Sequence, residues 1–282
     1  MKKLKTALVL EGGGMRGAYT AGALTWLIDN KIEFDASYGI STGAVHLCNF
    51  LLKDKKNLKD FSCEYINAPK TIGFNAFLKT GRIVDYEELF KVAVKQGFNV
   101  NTLNSLKKKG KIGVYDLNKG ETIYLDIQDI NINELKAACT LPIIGKVVKE
   151  KGRYIFDGGI TEMIPINESI KDKNDVHLII TTKPIDYIRK KANPFVVFVM
   201  KLIYPRWKSV GNDYAIRHLN YVSQINTINE LNNSKKALYC YPTKKSNVTR
   251  LGGSKQDLLD LFNLGYSDME DRKKEIYKLL NI

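Results

Sequence analysis

The chain has 282 residues, 44% of them hydrophobic and 26% charged, with a formal net charge of +14. That length and composition support a sizeable buried core, exclude a disordered polyelectrolyte, and fit one large domain. The positive balance favours anionic partners such as a lipid surface or acidic metabolites, but no nucleic-acid-binding motif accompanies it, so nucleic acid is not an expected partner.

The opening "MKKLKTALVLEGGG" starts basic, but its apolar run is too short for a signal peptide. "KTALVLEGGG" reads as a buried strand broken by glycines, and "GAYTAGALTWLIDN" as a helix with Ala21, Leu24, Leu27 and Ile28 on one face. "ASYGI" is a second strand and "TGAVHLCNFLL" a second helix. This alternation predicts a three-layer α/β sandwich with a mostly parallel central sheet. Residues 54–110 read as a mainly helical excursion punctuated by Gly73, Gly81 and Gly97. "KIGVYDL" and "ETIYLDI" are strands about the turn "NKG", and "NINELKAAC" is a short helix ended by Pro142. "RYIFDGG" and "DVHLIITT" are further strands. "FVVFVMKLIY" is apolar but is interrupted by Lys201 and stopped by Pro205, too short to span a bilayer. Residues 209–282 form a C-terminal helical region with one late strand, "KALYCYP". No linker is visible, so 1–282 reads as a single domain. Cys48, Cys63, Cys139 and Cys240 lack CxxC spacing and read as buried free thiols of a reducing, cytoplasmic compartment.

Two glycine motifs carry the chemistry. In "EGGGMRG", Gly12, Gly14 and Gly17 satisfy GxGxxG between a strand and a helix. The acidic residue of a dinucleotide site should end the second strand, yet Asp35 precedes it, and no GK[ST] follows for a P-loop. A glycine-rich turn opening a helix also gathers bare amides that hold an anion, including the oxyanion of acyl transfer. It can equally be a ligand-free bend. The second motif, Gly39-Ile40-Ser41-Thr42-Gly43, is G-x-S-x-G between strand and helix, the setting of a nucleophile elbow. Gly39 and Gly43 would admit the crowded turn. In a parallel sheet both motifs reach the edge formed by the strands' C-terminal ends.

Ser41 needs a base. His46 lies on the helix past the elbow, His177 begins a strand at the far end, and His218 lies inside a long helix. Asp157 in "YIFDGG" ends a strand, followed by Gly158 and Gly159, which let another group approach closely. Asp157 could also simply cap a turn with its own backbone.

"GGGMRG", "GISTG" and "DGG", in that order, resemble the patatin-like phospholipase family, and "RHLNYVSQINTINEL" and the closing segment resemble a bacterial branch of it. The resemblance implies a serine lipolytic acyl hydrolase working through a Ser–Asp dyad: Ser41 as nucleophile, Asp157 as base, Gly12, Gly13 and Gly14 lining an oxyanion hole, and Arg16 beside it. It implies lipid or acyl-ester substrates and no metal or cofactor. The family often shows A-S-x-A-x-P before the DGG strand; here "AACTLP" has Ala138 for the serine and Thr140 for the second alanine. "NPFVVFVMKLIYPRWK" joins apolar residues, Tyr204, Trp207 and cations, a mix that suits either a core helix or peripheral contact with an anionic membrane, at its inner face for a cytoplasmic protein. The rival readings are a Ser-His-Asp esterase using His218 or His177, and a non-catalytic lipid- or nucleotide-binding module.

Overall fold

A computed structural model describes residues 4–64 and 84–282. Gly73 and Gly81, expected as punctuation of the helical excursion, lie outside the described residues. Among the described residues the sheet has eight strands. Its parallel part runs in the order β3 (Lys109–Asp116), β2 (Ala36–Ile40), β1 (Thr6–Leu10), β7 (Val176–Ile180), β8 (Ala237–Cys240). The central strands β1 and β7 are buried on both faces, so they read as near-continuous apolar runs. Alternation along β1 sends Leu8 and Leu10 to one layer and Ala7 and Val9 to the other.

On the first face lie α1 (Gly17–Asp29), α2 (Thr42–Leu51) and α3 (Lys55–Cys63), with α4 (Tyr86–Lys95) and, after the short α5 (Val100–Asn104), α6 (Ile132–Cys139). The C-terminal α10 (Lys255–Asp271) and α11 (Lys273–Leu280) complete that layer, Leu258, Leu261 and Phe262 packing into the same core as Leu24 and Leu27. The opposite face is covered by α7 (Ile166–Lys171), α8 (Pro194–Ile203) and the long α9 (Lys208–Asn233). All four cysteines are buried and none is in a disulfide. Among the described residues no helix is long and apolar enough to cross a membrane.

One end of the sheet is antiparallel. β4 (Glu121–Asp126) pairs with β3 as the "NKG" hairpin, and β5 (Val148–Glu150), which has no clear sequence signal, pairs with β6 (Arg153–Asp157). β4 occupies one edge of β3. The other edge is shared: β2 pairs as far as Ile40↔Gly113, and β6 runs in from the opposite direction to end at Asp157↔Val114. Two strands of opposite direction thus meet head to head on adjacent residues of β3. The parallel-sheet expectation put Asp157 at the same edge as Ser41; the position is as expected, but the cause is this antiparallel approach.

Candidate active site

Leu10 pairs with Gly39 on one side and Ile180 on the other. The glycine turn, Ser41 and the Thr182–Lys183 segment therefore leave the sheet side by side. Ser41 adopts φ 57° and ψ −129°, a conformation that costs a non-glycine residue about 1–3 kcal/mol. Crowding explains its glycine neighbours. A Cβ on Gly39 would stand 2.5 Å from the carbonyl oxygen of Gly43, and one on Gly43 would stand 2.8 Å from those of Leu10 and Glu11. A Cβ on Gly12 would come within 2.8 Å of Ser41 Cβ, so the glycine turn lies directly against the serine. Gly158 abuts the Gly113 carbonyl, which lets the chain turn sharply after Asp157.

Asp157 is 1% exposed. The two readings of this aspartate divide between its oxygens. Oδ1 caps the turn, accepting from the Gly159 amide at 2.7 Å. Oδ2 is buried and makes no well-formed hydrogen bond, while the Ser41 hydroxyl lies close enough to favour the charged carboxylate. Burial raises the Asp157 pKa; Arg250, the Gly159 amide, Ser41 and Arg217 pull it back without cancelling the rise. The Asp157 amide donates to the Thr140 carbonyl at 2.9 Å, and the Thr140 hydroxyl turns back to Lys136 O at 2.8 Å. The departures in "AACTLP" are thus absorbed by helix and core, Ala138 being fully buried.

A cavity of about 170 Å³ opens over these groups, lined by Gly12, Gly13, Gly14, Arg16, Ser41 and Asp157 among others. The glycine amides are not equivalent. That of Gly12 donates to Met163 O at 3.1 Å, and that of Gly13 to Thr42 Oγ1 at 3.2 Å. Those of Gly14 and of Thr42, the residue after Ser41, donate to no group among the described residues. Arg16 reaches the cavity with its Nε donating to Val248 O at 3.2 Å. None of the three histidines lines the cavity. His46 is pushed down to about 3 by burial, beside Ser62 Oγ at 3.1 Å. His177 is pushed down to about 4, also by burial, and is bonded to Ser169 Oγ at 2.9 Å.

Several contributors carry no motif. Glu11 is fully buried beneath the glycine turn, accepts from Thr182 N at 2.6 Å and pairs with Lys183, so it ties the end of β1 to the end of β7. Gln224 accepts from the amides of Met163 and Ile164 at 3.2 and 3.1 Å, fixing the loop whose carbonyl holds Gly12. Arg217, on the same helix, lines the cavity. Its signal was present but faint: Arg217, Tyr221, Gln224 and Ile228 form a buried stripe at helical spacing, and a charged residue in such a stripe faces a site.

A family model described as patatin-like phospholipase matches residues 8–170, and one described as a domain of unknown function (DUF6363) matches residues 208–281. The uncharacterized protein YjjU of Escherichia coli (strain K12) is 25% identical over 187 residues, 64% of this chain and 52% of that protein, so the chain spans about half its length. The probable lipid hydrolase 463L of Invertebrate iridescent virus 6 is 24% identical over 251 residues, 82% of each chain. Among solved structures, VipD from Legionella pneumophila superposes with a TM-score of 0.52 at 14% identity, over 99% of this chain and 67% of that one, which is a likeness of fold. The matched stretch covers more than half of the chain and contains all three motifs, and the chain belongs to the patatin-like phospholipase family.

Proposed function

We propose that the protein is a serine acyl hydrolase of lipid esters, with Ser41 as nucleophile and Asp157 as its base. The observation that carries this reading is a strained serine against a buried carboxylate whose second oxygen has no other hydrogen-bond partner among the described residues, both under one cavity. Ser41 Oγ attacks the ester carbonyl as Asp157 Oδ2 takes its proton. The tetrahedral oxyanion is held by the Gly14 amide and by that of Gly13 once it leaves the Thr42 hydroxyl, with Arg16 nearby. Collapse expels the alcohol, which recovers the proton from Asp157, and water then repeats the sequence on the acyl-enzyme. An aspartate of ordinary pKa is a weak base at neutral pH, so burial, which raises it, serves the reaction. Oxyanion donors, at about 3–4 kcal/mol each, carry much of the remaining acceleration. The lipid-hydrolase name of one relative supports the same substrate class.

We treat 1–282 as one acyl hydrolase domain, because Arg217 and Arg250 of the C-terminal region line the cavity that holds Ser41. The outer face of α8, with Phe195, Phe198 and Leu202 exposed beside Lys201 and Arg206, suits peripheral contact with an anionic membrane. A fluorophosphonate probe tests the nucleophile. It is expected to label wild-type protein at Ser41 and to leave Ser41→Ala unlabelled, with loss of p-nitrophenyl butyrate hydrolysis. Folded wild-type protein that stays unlabelled would favour the non-catalytic binding module.

A further inference from the structure

Five cations line the cavity over Ser41: Arg16, Lys183, Arg189, Arg217 and Arg250. Asp157 is the one carboxylate among the lining residues. Lys183 is neutralised from behind by Glu11. For Arg189, Arg217 and Arg250, no carboxylate among the described residues lies within ion-pairing distance. Arg217 is only 6% exposed, and the Nε atoms of both Arg217 and Arg189 are buried without a hydrogen-bond partner. Aromatic faces hold these groups instead: Arg217 lies 4.8 Å from the Tyr214 ring centroid and Arg189 5.0 Å from that of Tyr221. A cation–π contact orients a guanidinium but leaves its N–H edge free to donate.

Such an arrangement is costly without an occupant. Burial and the neighbouring charges of Arg250 and Arg189 depress the Arg217 pKa. Folded proteins rarely leave a buried guanidinium such as that of Arg217 beside two half-buried ones, Arg189 and Arg250, without a counter-charge, because an uncompensated buried charge costs several kcal/mol. The backbone nevertheless builds the cluster deliberately. The Arg250 carbonyl accepts from Met15 N at 3.1 Å and fills the space a side chain on Gly14 would need, where φ is +60°. The Arg250 loop is thereby locked onto the glycine turn, within the cavity that holds Ser41.

We propose that Arg189, Arg217 and Arg250 form a phosphate-binding subsite, so that the preferred substrate is an acyl ester whose alcohol part carries a phosphate monoester close to the scissile bond. The proposal rests on the reading of Ser41 as the nucleophile for its substrate part, and on the cluster alone for its binding part. Planar guanidinium forks match phosphate oxygens bidentately. A monoester, at about −1.5 to −2 charge, neutralises the surplus better than a diester does. All three arginines lie beyond residue 170, downstream of the segment with the three glycine motifs, which gives the C-terminal region a part in choosing the substrate.

The test has two arms. In the first, hydrolysis of 1-acyl-glycerol 3-phosphate is compared with that of the monoacylglycerol bearing the same acyl chain. Wild-type protein is expected to favour the phosphate-bearing ester by about tenfold or more in kcat/KM, the worth of one good charge-assisted contact. Arg189→Gln is the cleanest variant, because Arg189 is not among the groups that set the charge of Asp157. It should erase most of that preference, chiefly by raising KM for the phosphate-bearing ester. Lys235→Gln, an exposed charge elsewhere, should preserve the preference. In the second arm, inorganic phosphate at fixed ionic strength is added to Ser41→Ala protein. It should raise Tm, and the rise should vanish when Arg189→Gln is added. Equal hydrolysis of both esters by wild type, with Arg-dependent phosphate protection retained, would overturn the substrate reading and leave a site for a free anion. Absence of both hydrolysis and phosphate protection would defeat the hydrolase reading and the subsite together. Loss of hydrolysis alone would defeat only the former.

Discussion

The two edges of the same sheet handle charge in opposite ways. At the edge formed by the N-terminal ends of the parallel strands lies a cavity of about 520 Å³ whose lining includes Lys5, Lys109 and Lys111 against Asp35, Asp126 and Asp172. Its central charges are partnered: Lys111 reaches Glu168 and Asp172 at 2.7 Å each, and Tyr38 donates to Asp172 at 2.8 Å while accepting from Asn174 at 2.8 Å. At the Ser41 edge the cavity is a third of that size, yet it keeps a strained serine, an idle carboxylate oxygen and guanidiniums with no ion-pairing carboxylate among the described residues. The larger cavity's central charges form a paired network that holds β2, β3 and α7 together, and its one idle buried group among the described residues is the neutral Ser37 hydroxyl. Unspent bonding capacity, rather than volume, marks the place where a substrate belongs.

Substitutions at the two edges should separate rate from stability. Asp157→Asn is expected to lower kcat for a short-chain ester by at least ~10³-fold, comparable with Ser41→Ala, since members of one nucleophilic unit fail together. Lys111→Met at the other edge should leave kcat nearly intact but destabilise the fold by about 2 kcal/mol in a denaturant titration. That figure is the penalty for leaving buried Glu168 with only the exposed Lys171, at 3.3 Å, as its cationic partner, discounted because Lys111 is partly exposed. A rate collapse in Lys111→Met without unfolding would break the comparison. Ser41→Gly sharpens it at about 1 kcal/mol: activity disappears while stability rises, because glycine accepts the positive φ that serine endures.

The same contrast explains what could be read from the sequence. The glycine motifs announced β1, β2, α1, α2 and the elbow, because a crowded turn permits only glycine and the hydrophobic period changes on either side of it. Asp157 was legible from "DGG" for a similar reason. β5 was not, being three residues long and half exposed. The head-to-head meeting of β2 and β6 was also hidden, since strand direction is decided by pairing at a distance. Arg189 and Arg250 read as surface, because a basic residue in a loop usually is. The stripe at helical spacing gave only a faint sign that Arg217 points inward, and it takes the tertiary fold to reveal that its neighbours are cations.

A smaller effect concerns pH. Asp157 must be charged to take the proton, and its folded pKa is raised, so activity should fall with acidification at a pH above the ordinary carboxylate range. Arg250 is the strongest of the groups that offset the effect of burial. Arg250→Gln should therefore move the acid limb of kcat to higher pH, the sign required when a cation that favours the carboxylate is removed. Movement toward lower pH would mean that the limb belongs to another group.

The smallest expected change is at His218, and its smallness is the point. His218 directly follows Arg217 on α9, so its side chain leaves the helix about 100° around from the cavity, and it is absent from the cavity lining. His177 sits near the start of β7, at the far edge of the sheet, where it is hydrogen-bonded to Ser169 of α7. A histidine base would need to approach Ser41 from the rim, and the position beside Ser41 is held by Asp157. His218→Ala should thus keep kcat/KM for a short-chain ester within about twofold, the range of a substitution outside the reacting groups. If it fell as far as Asp157→Asn, a Ser-His-Asp arrangement would replace the dyad, and the idle oxygen of Asp157 would then be serving the turn alone.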